Sequence, residues 1–425
     1  MLFFKEVDFQ DTPLGQVPKD WQVSQLGDDR VCEDIFYGIT AKATDQNTGL
    51  RMLRTTDIKN YSADWSKLPF CEITENRNAV DKYVLKKGDI IIARAGTVGV
   101  SVLVDRDFDD VIFGSYLIKV KLKSTIIPEF AHYFLQSNLY WKHIQKAQGS
   151  TLKNINLPIL KELFLPIPPL EEQRVIAGVL GVVDSVIAKA DEVIAKTERL
   201  KKGLMQTLLT RGIGHKEFKE TEIGKIPKTW EVTKLGNKEL AEIIMGQSPP
   251  SSTYNKEGNG LPFLQGKMEF GEIYPSPILY CSQPIKIAEQ NDILMSVRAP
   301  VGDVNVAPYR LCIGRGLASI RFNSEKADSW FYFYYLQKIK NFLENIGKGS
   351  TFKAITKEDL EDLKIPYPPL FEQKKIAQIL STVDRKLEFE RNEKVRLERI
   401  KRGLMDLLLT GKIRVKVDCD AVYSG

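Results

Sequence analysis

The chain has 425 residues, enough for two or three domains with their own cores, and its 43% hydrophobic and 27% charged content is ordinary for a soluble globular protein. No apolar run approaches the roughly 18–20 residues that span a bilayer, and the start, Met1 to Glu6, is too short and too early acidic for a secretory signal. A net charge of +6 permits an anionic partner such as nucleic acid without demanding one.

Taken in order, the chain repeats itself. Phe4-Lys5-Glu6 recurs as Phe218-Lys219-Glu220, and Gly15-Gln16-Val17-Pro18-Lys19-Asp20-Trp21 recurs as Gly224-Lys225-Ile226-Pro227-Lys228-Thr229-Trp230. Gly114 and Leu117 match Gly314 and Leu317, and Gly149-Ser150-Thr151 matches Gly349-Ser350-Thr351. A period this long is no solenoid; it predicts two copies of one domain. Between 40 and 80 and between 240 and 290 the copies do not match, so a shared frame carries different interiors.

Inside the first copy, Asp89–Ala93, Val100–Val104 and Ile118–Leu122 read as strands, the last by strict alternation. Pro128 opens an aromatic helix carrying Phe130, Tyr133, Phe134, Trp141 and Ile144. The second copy echoes this with a strand at Asp292–Met295 and an aromatic helix from Trp330 to Ile346. Arg94 and Arg298 take equivalent places beside these strands.

Each copy then reaches a proline cluster, Leu165-Pro166-Ile167-Pro168-Pro169-Leu170-Glu171-Glu172-Gln173 or Ile365-Pro366-Tyr367-Pro368-Pro369-Leu370-Phe371-Glu372-Gln373. Proline fixes φ and removes a donor, so each cluster ends what precedes it and lets a helix start just after. The first helix has heptad spacing through Ile176, Val179, Val183, Val186, Ala190, Val193, Thr197, Leu200 and Leu204. The second keeps Ile376, Ile379, Val383, Leu397, Ile400 and Leu404, with Leu387 one place off the seam and a polar break at Lys386, Glu390 and Glu393. Sustained a/d spacing predicts that the two helices pair as a coiled coil; antiparallel pairing would give internal pseudo-two-fold symmetry. The charged faces Lys196–Lys202 and Arg396–Arg402 read as solvated flanks.

Catalytic signatures are missing. Gly96-Thr97-Val98-Gly99 lacks the Lys-Ser/Thr of a P-loop and the third glycine of a dinucleotide fingerprint, and reads as a tight turn. Ser248-Pro249-Pro250-Ser251 is similar to the Pro-Pro motif of amino-methyltransferases, but Ser251 stands where an aromatic would stack on a flipped base, so it reads as a Ser/Pro turn. Five cysteines (Cys32, Cys71, Cys281, Cys312, Cys419) show no CxxC pairing, and with only His132, His143 and His215 they suggest no metal site. We read a reduced, cytoplasmic protein.

These repeated segments, with the Gly-Leu-Met-x-x-Leu-Leu-Thr that closes each copy, resemble the specificity (S) subunits of type I restriction–modification enzymes over essentially the full chain. The resemblance implies an α+β fold: two mixed α/β target recognition domains joined by two long helices in an antiparallel coiled coil. Boundaries then fall at 1–168 (first recognition domain), 169–213 (first helix), 214–368 (second recognition domain), 369–414 (second helix) and 415–425 (tail). It implies a non-catalytic subunit that reads a bipartite, asymmetric site in double-stranded DNA. Partners would be two modification subunits and, through them, restriction subunits, with S-adenosylmethionine, ATP and Mg on those partners only and no membrane contact. Candidate DNA-binding residues are Arg54, Thr55, Lys59, Arg94, Thr97 and Lys153 in the first domain, and Gln265, Lys267, Arg298, Arg315 and Lys353 in the second. Leu170, Glu172, Gln173, Leu370, Glu372 and Gln373, at the helix starts, are candidates for holding the modification subunits. The other readings are a duplicated scaffold that binds only protein, and a self-contained DNA-modifying enzyme, which the absent cofactor loop disfavours.

Overall fold

The computed structural model describes residues 3–73, 80–148, 154–348 and 354–416. These form two compact units: one holds the chain up to Asp191 and again from Glu393, the other Glu192–Asn392. Each unit therefore contains one globular domain and one half of each long helix.

In the first unit an antiparallel sheet runs in the order Ser101–Leu103, Ile90–Ala93, Leu117–Leu122, Cys32–Tyr37. A second sheet runs Val111–Phe113, Arg51–Leu53, Phe70–Glu72, Lys42–Thr44, and its first pair is parallel. The second unit repeats both. Its antiparallel sheet is Ala241–Met245, Leu317–Phe322, Ile293–Ser296, Val304–Val306. Its five-stranded sheet is Tyr254–Asn255, Leu279–Cys281, Leu261–Leu264, Leu311–Ile313, Ile287–Ala288, again with one parallel pair, Leu261–Leu264 beside Leu311–Ile313. One close approach recurs where the sheets meet: a Cβ on Gly38 would lie 2.3 Å from the Gly114 carbonyl oxygen, and one on Gly246 2.2 Å from that of Gly314. Only glycine fits there.

The strands expected from the sequence are present, with ends shifted by a residue. Each aromatic helix is broken in two, Pro128–Phe134 with Asn138–Gln148, and Ser329–Lys338 with Lys340–Lys348. At the first break the Ser137 hydroxyl accepts the Tyr140 N–H, a side-chain cap that restarts the helix.

The long helices run Leu170–Arg211 and Leu370–Leu408. In the first unit Ile176 and Leu180 share a core with Met405 and Leu408; in the second, Leu204 and Leu208 pack on the core holding Ile376 and Leu380. The beginning of one helix thus meets the end of the other in both units, which is antiparallel pairing. The seam differs from the one counted on the sequence. Val186, Leu200 and Ile400 are 40%, 55% and 45% exposed, whereas Leu387, set one place off, is only 4% exposed. The reason is that these helix halves also pack on the globular domains, so the buried stripe follows two neighbours.

Lys201 and Lys401, expected on a solvated flank, are drawn inward instead. Lys401 binds Asp184 at 2.7 Å and the Tyr133 hydroxyl donates to the same carboxylate at 2.8 Å. Lys201 binds Asp384 at 2.5 Å and the Tyr334 hydroxyl donates to it at 2.7 Å. Burial first, then the adjacent carboxylates, push both tyrosine hydroxyls well above their ordinary pKa, so they remain donors. Each trio ties an aromatic helix to the coil within its own unit.

Candidate nucleic-acid interface

The helix starts come first, because the structure corrects their role. Glu172, Gln173, Glu372 and Gln373 are 2%, 0%, 3% and 0% exposed, so as folded they offer no surface to a partner. Gln173 accepts the Ile127 N–H at 2.8 Å and donates to the Thr125 and Pro168 carbonyls; Gln373 accepts the Asp328 N–H at 2.9 Å and donates to the Pro368 carbonyl. Glu172 accepts the Trp21 indole N–H at 3.0 Å and two guanidinium N–H groups of Arg414 at 2.7 and 2.8 Å. Glu372 accepts the Trp230 indole N–H at 2.9 Å, pairs with His215 Nε2 at 2.8 Å and accepts the Ile213 N–H. The helix dipole favours an acid at this position, but the buried hydrogen bonds are what hold it. Burial alone would lower the pKa of Arg414; hydrogen bonds to Glu172, Asp20 and Glu6 raise it instead. Leu170 and Leu370 remain half-buried, beside the partly exposed Glu171 and the 74% exposed Phe371.

The other candidates lie where strands of both sheets end together. In the first unit Gly114 N–H donates to the Leu53 carbonyl, Arg94 N–H to that of Tyr116, and Ile39 N–H to that of Phe113. In the second unit the same bonds run from Gly314 to Leu264, Val297 to Gly316, and Gln247 to Ile313. This frame places Arg54 opposite Gln265, Ser115 opposite Arg315, and Tyr116 opposite Gly316. It also corrects the pairing of Arg94 with Arg298. The ladders align Ala93 with Ser296, so Arg94 matches Val297 and Arg298 matches Ala95. The two turns are equally long, Gly99 N–H donating to the Ala93 carbonyl and Gly302 N–H to that of Ser296, and the arginine stands one place later in the second copy.

On the first edge, the Arg94 guanidinium lies 4.5 Å over the Tyr37 ring and its Nε donates to Asn154 at 3.3 Å. Thr55 sits beside Gly96, and Thr97 is exposed on the turn, where Gly96 and Gly99 take the positive φ of 77° and 85° expected there. Arg54 is engaged by Asp57 in a two-pronged pair at 2.9 and 2.8 Å, and Lys59 extends from a short hairpin, Ile58–Lys59 with Ser62–Ala63. On the second edge Gln265, Arg298 and Arg315 are exposed, and among the described residues neither arginine has an ion pair. Lys267 is set apart, bound to Asp303 at 2.5 Å, with Lys340 on the other oxygen at 2.6 Å. Burial would raise the Asp303 pKa, but the two lysines outweigh it and hold the carboxyl below its ordinary value. Lys153 and Lys353 lie outside the described residues.

Two exposed residues on these edges escaped the sequence reading: Tyr116, at 64%, and Met268, at 96%. Tyr116 was legible, since it and Ser115 fall between the matched Gly114 and Leu117 yet differ from Arg315 and Gly316. Ser248, dismissed as a turn, accepts the Arg315 N–H at 3.1 Å and so belongs to the second edge. Forked guanidinium donors, a carboxamide and hydroxyls are the groups that read base edges and phosphates. No group of His, Cys, Asp and Glu suited to a metal ion occurs among the described residues.

Comparison with known proteins is consistent across methods. The sequence profile of the type I restriction modification DNA specificity domain matches residues 18–198 and 227–399. The type I restriction enzyme MjaX specificity subunit of Methanocaldococcus jannaschii is 46% identical, over 97% of this chain and 98% of that protein. The MjaVIII specificity subunit of the same organism is 29% identical over 98% of both. Among solved structures, a chain from a study of complex assembly and conformational transition of the type I R-M system aligns with a TM-score of 0.60 at 29% identity, over 93% of this chain and 99% of that one. The type I S subunit of M. genitalium shares the fold, with a TM-score of 0.59 at 18% identity, over 93% and 98% of the two chains.

Proposed function

This chain belongs to the type I restriction–modification DNA specificity family, and from that premise we propose that its two strand-end edges read two different half-sites of one bipartite, asymmetric target. The subunit recognises DNA and is non-catalytic; modification and restriction subunits act on the DNA it selects. The observation that carries the proposal is the shared frame with unlike occupants: Arg54 against Gln265, Ser115 against Arg315, Tyr116 against Gly316, set by three matching backbone hydrogen bonds in each unit. Identical bonds hold the two edges in one shape, while different side chains present different donors and acceptors. Arg94 and Lys59 in the first domain, and Arg298 and Arg315 in the second, supply cations for phosphates or base edges. Two modification subunits dock about Leu170 and Leu370, and S-adenosylmethionine, ATP and Mg are bound by the partner subunits.

The test is selection of target sequences from random duplexes by the complex with its modification subunit, using wild type, Gln265→Ala/Arg315→Ala and Tyr116→Ala. Each good base contact is worth about 1–3 kcal/mol of discrimination, so the first variant should blur one specified block and the second variant the other. A palindromic target, or either variant changing both blocks alike, would overturn the proposal.

A further inference from the structure

The second edge carries two exposed apolar side chains near the polar Gln265 and Arg315. Met268 is 96% exposed in the middle of the single turn Lys267–Glu269, and Ile278, 70% exposed, stands just before the strand Leu279–Cys281. Both leave the sheet at one end: Leu279 pairs with Phe263, two residues before Gln265, and Leu264 pairs with Ile313, two residues before Arg315. The turn is rigidly set. Lys267 is held by Asp303, the Phe270 N–H donates to the Lys267 carbonyl, and the Ser276 N–H donates to the Glu269 carbonyl. The Glu269 side chain is turned inward, with its Oε2 buried. With both neighbours directed into the domain, Met268 alone is presented outward.

We infer that Met268 reads a thymine of the second half-site by contact with its C5 methyl group. The inference rests on the DNA-reading role proposed above and adds the base to it. A nearly fully exposed methionine costs apolar hydration in the free protein, and burial against a methyl group recovers it. The neighbouring Gln265 and Arg315 fit adenine and guanine edges in the major groove, the groove in which the thymine methyl lies. A wedge pushed between base steps is the competing use of an exposed apolar residue. It needs firm support, because unstacking costs a few kcal/mol per step, and a side chain touching almost nothing in its own domain has none. In the first domain the middle residue of the matching turn, Thr55–Asp57, is Thr56, so the methionine belongs to the second edge only.

The experiment uses the complex of this chain with its modification subunit on a duplex carrying the selected target, with each thymine of both blocks replaced in turn by uracil, which removes the methyl alone. One position in the block read by the second domain should weaken binding about fourfold in wild type, the worth of one buried methyl. The same replacement should have no effect in Met268→Ala, which should bind the methylated target about as weakly as wild type binds the uracil one. A second block without thymine on either strand, no sensitive position, or sensitivity that survives Met268→Ala would overturn the inference. Failure of the underlying reading looks different: there Gln265→Ala/Arg315→Ala leaves sequence selection unchanged.

Discussion

Arg414→Met should destabilise the first unit by about 3–5 kcal/mol, because it strands a buried carboxylate. Glu172 is 2% and Arg414 10% exposed at the side chain, and their two contacts measure 2.7 and 2.8 Å. Without the guanidinium, Glu172 keeps one neutral donor, the Trp21 indole at 3.0 Å. Asp20 is little affected, since its side chain is 55% exposed and can turn to water. Glu6, 13% exposed, still accepts the backbone N–H groups of Val7 and Asp8 at 2.8 and 2.9 Å through its other oxygen. The penalty therefore concentrates on Glu172. If so, Arg414→Met/Glu172→Met, which removes both charges, should be more stable than Arg414→Met alone, by roughly 2 kcal/mol or more. The chain has two units, so global unfolding need not be two-state; hydrogen exchange of the segments 3–18 and 409–416 reports the local change. A cost under about 1 kcal/mol for the single variant, or a double variant no better than the single, would refute the account.

Three other outcomes are expected. Burial lowers the His132 pKa from 6.5 to about 4; Gln136, Tyr61, Lys401 and Asp184 surround it, and its Nε2 has no hydrogen-bond partner among the described residues. Because the folded value lies below the unfolded one, the unfolded chain binds more protons between these limits. Stability present above pH 6.5 is thus lost as pH falls towards 4, by roughly 3 kcal/mol, and urea titrations of His132→Leu should show a shallower acid slope than wild type; equal slopes would count against it. Leu170→Asp/Leu370→Asp should abolish co-purification with the modification subunit while thermal melts stay cooperative, and undiminished co-purification would remove the helix starts from the docking surface. Inserting one heptad into both helices, after Ala190 and after Glu390, lengthens each by ~10 Å, so the preferred gap between the specified blocks should widen by up to about three base pairs at ~3.4 Å each, with the blocks unchanged; a selected target with the original gap would show that the helices do not set it.

Much of the architecture was legible because it is written twice. The proline clusters, the long helices and the strand-rich domains all follow from local rules of proline, periodicity and alternation. What the sequence could not provide was long-range pairing. Glu172 and Glu372 are adequate dipole partners on local grounds, and nothing near them announces tryptophans 151 and 142 residues away. The heptad count failed at Leu387 because a helix lying against both a partner helix and a domain has a buried face broader than an a/d seam. Arg94 and Arg298 are alike in sequence but stand one place apart on the strand ladders, where Ala93 aligns with Ser296.

The repeated and unrepeated residues separate by the work the backbone needs. Gly38 and Gly246 recur because carbonyl oxygens of the next segment occupy the space of a side chain. The Trp–Glu bonds and the Tyr–Asp–Lys trios recur because each unit must fasten a domain to a helix pair through buried polar groups, which tolerate no unpaired member. Even there one partner was free to change. Gly212 and Gly411 both take a positive φ after the long helices, and three residues on the acid is met by His215 in one unit and Arg414 in the other. The edges carry no such constraint. Gln265, Arg315, Tyr116 and Met268 are exposed at the ends of these strands, so their exchange leaves the fold almost untouched. A frame that fixes position while leaving side chains free is what allows one fold to present two unlike surfaces.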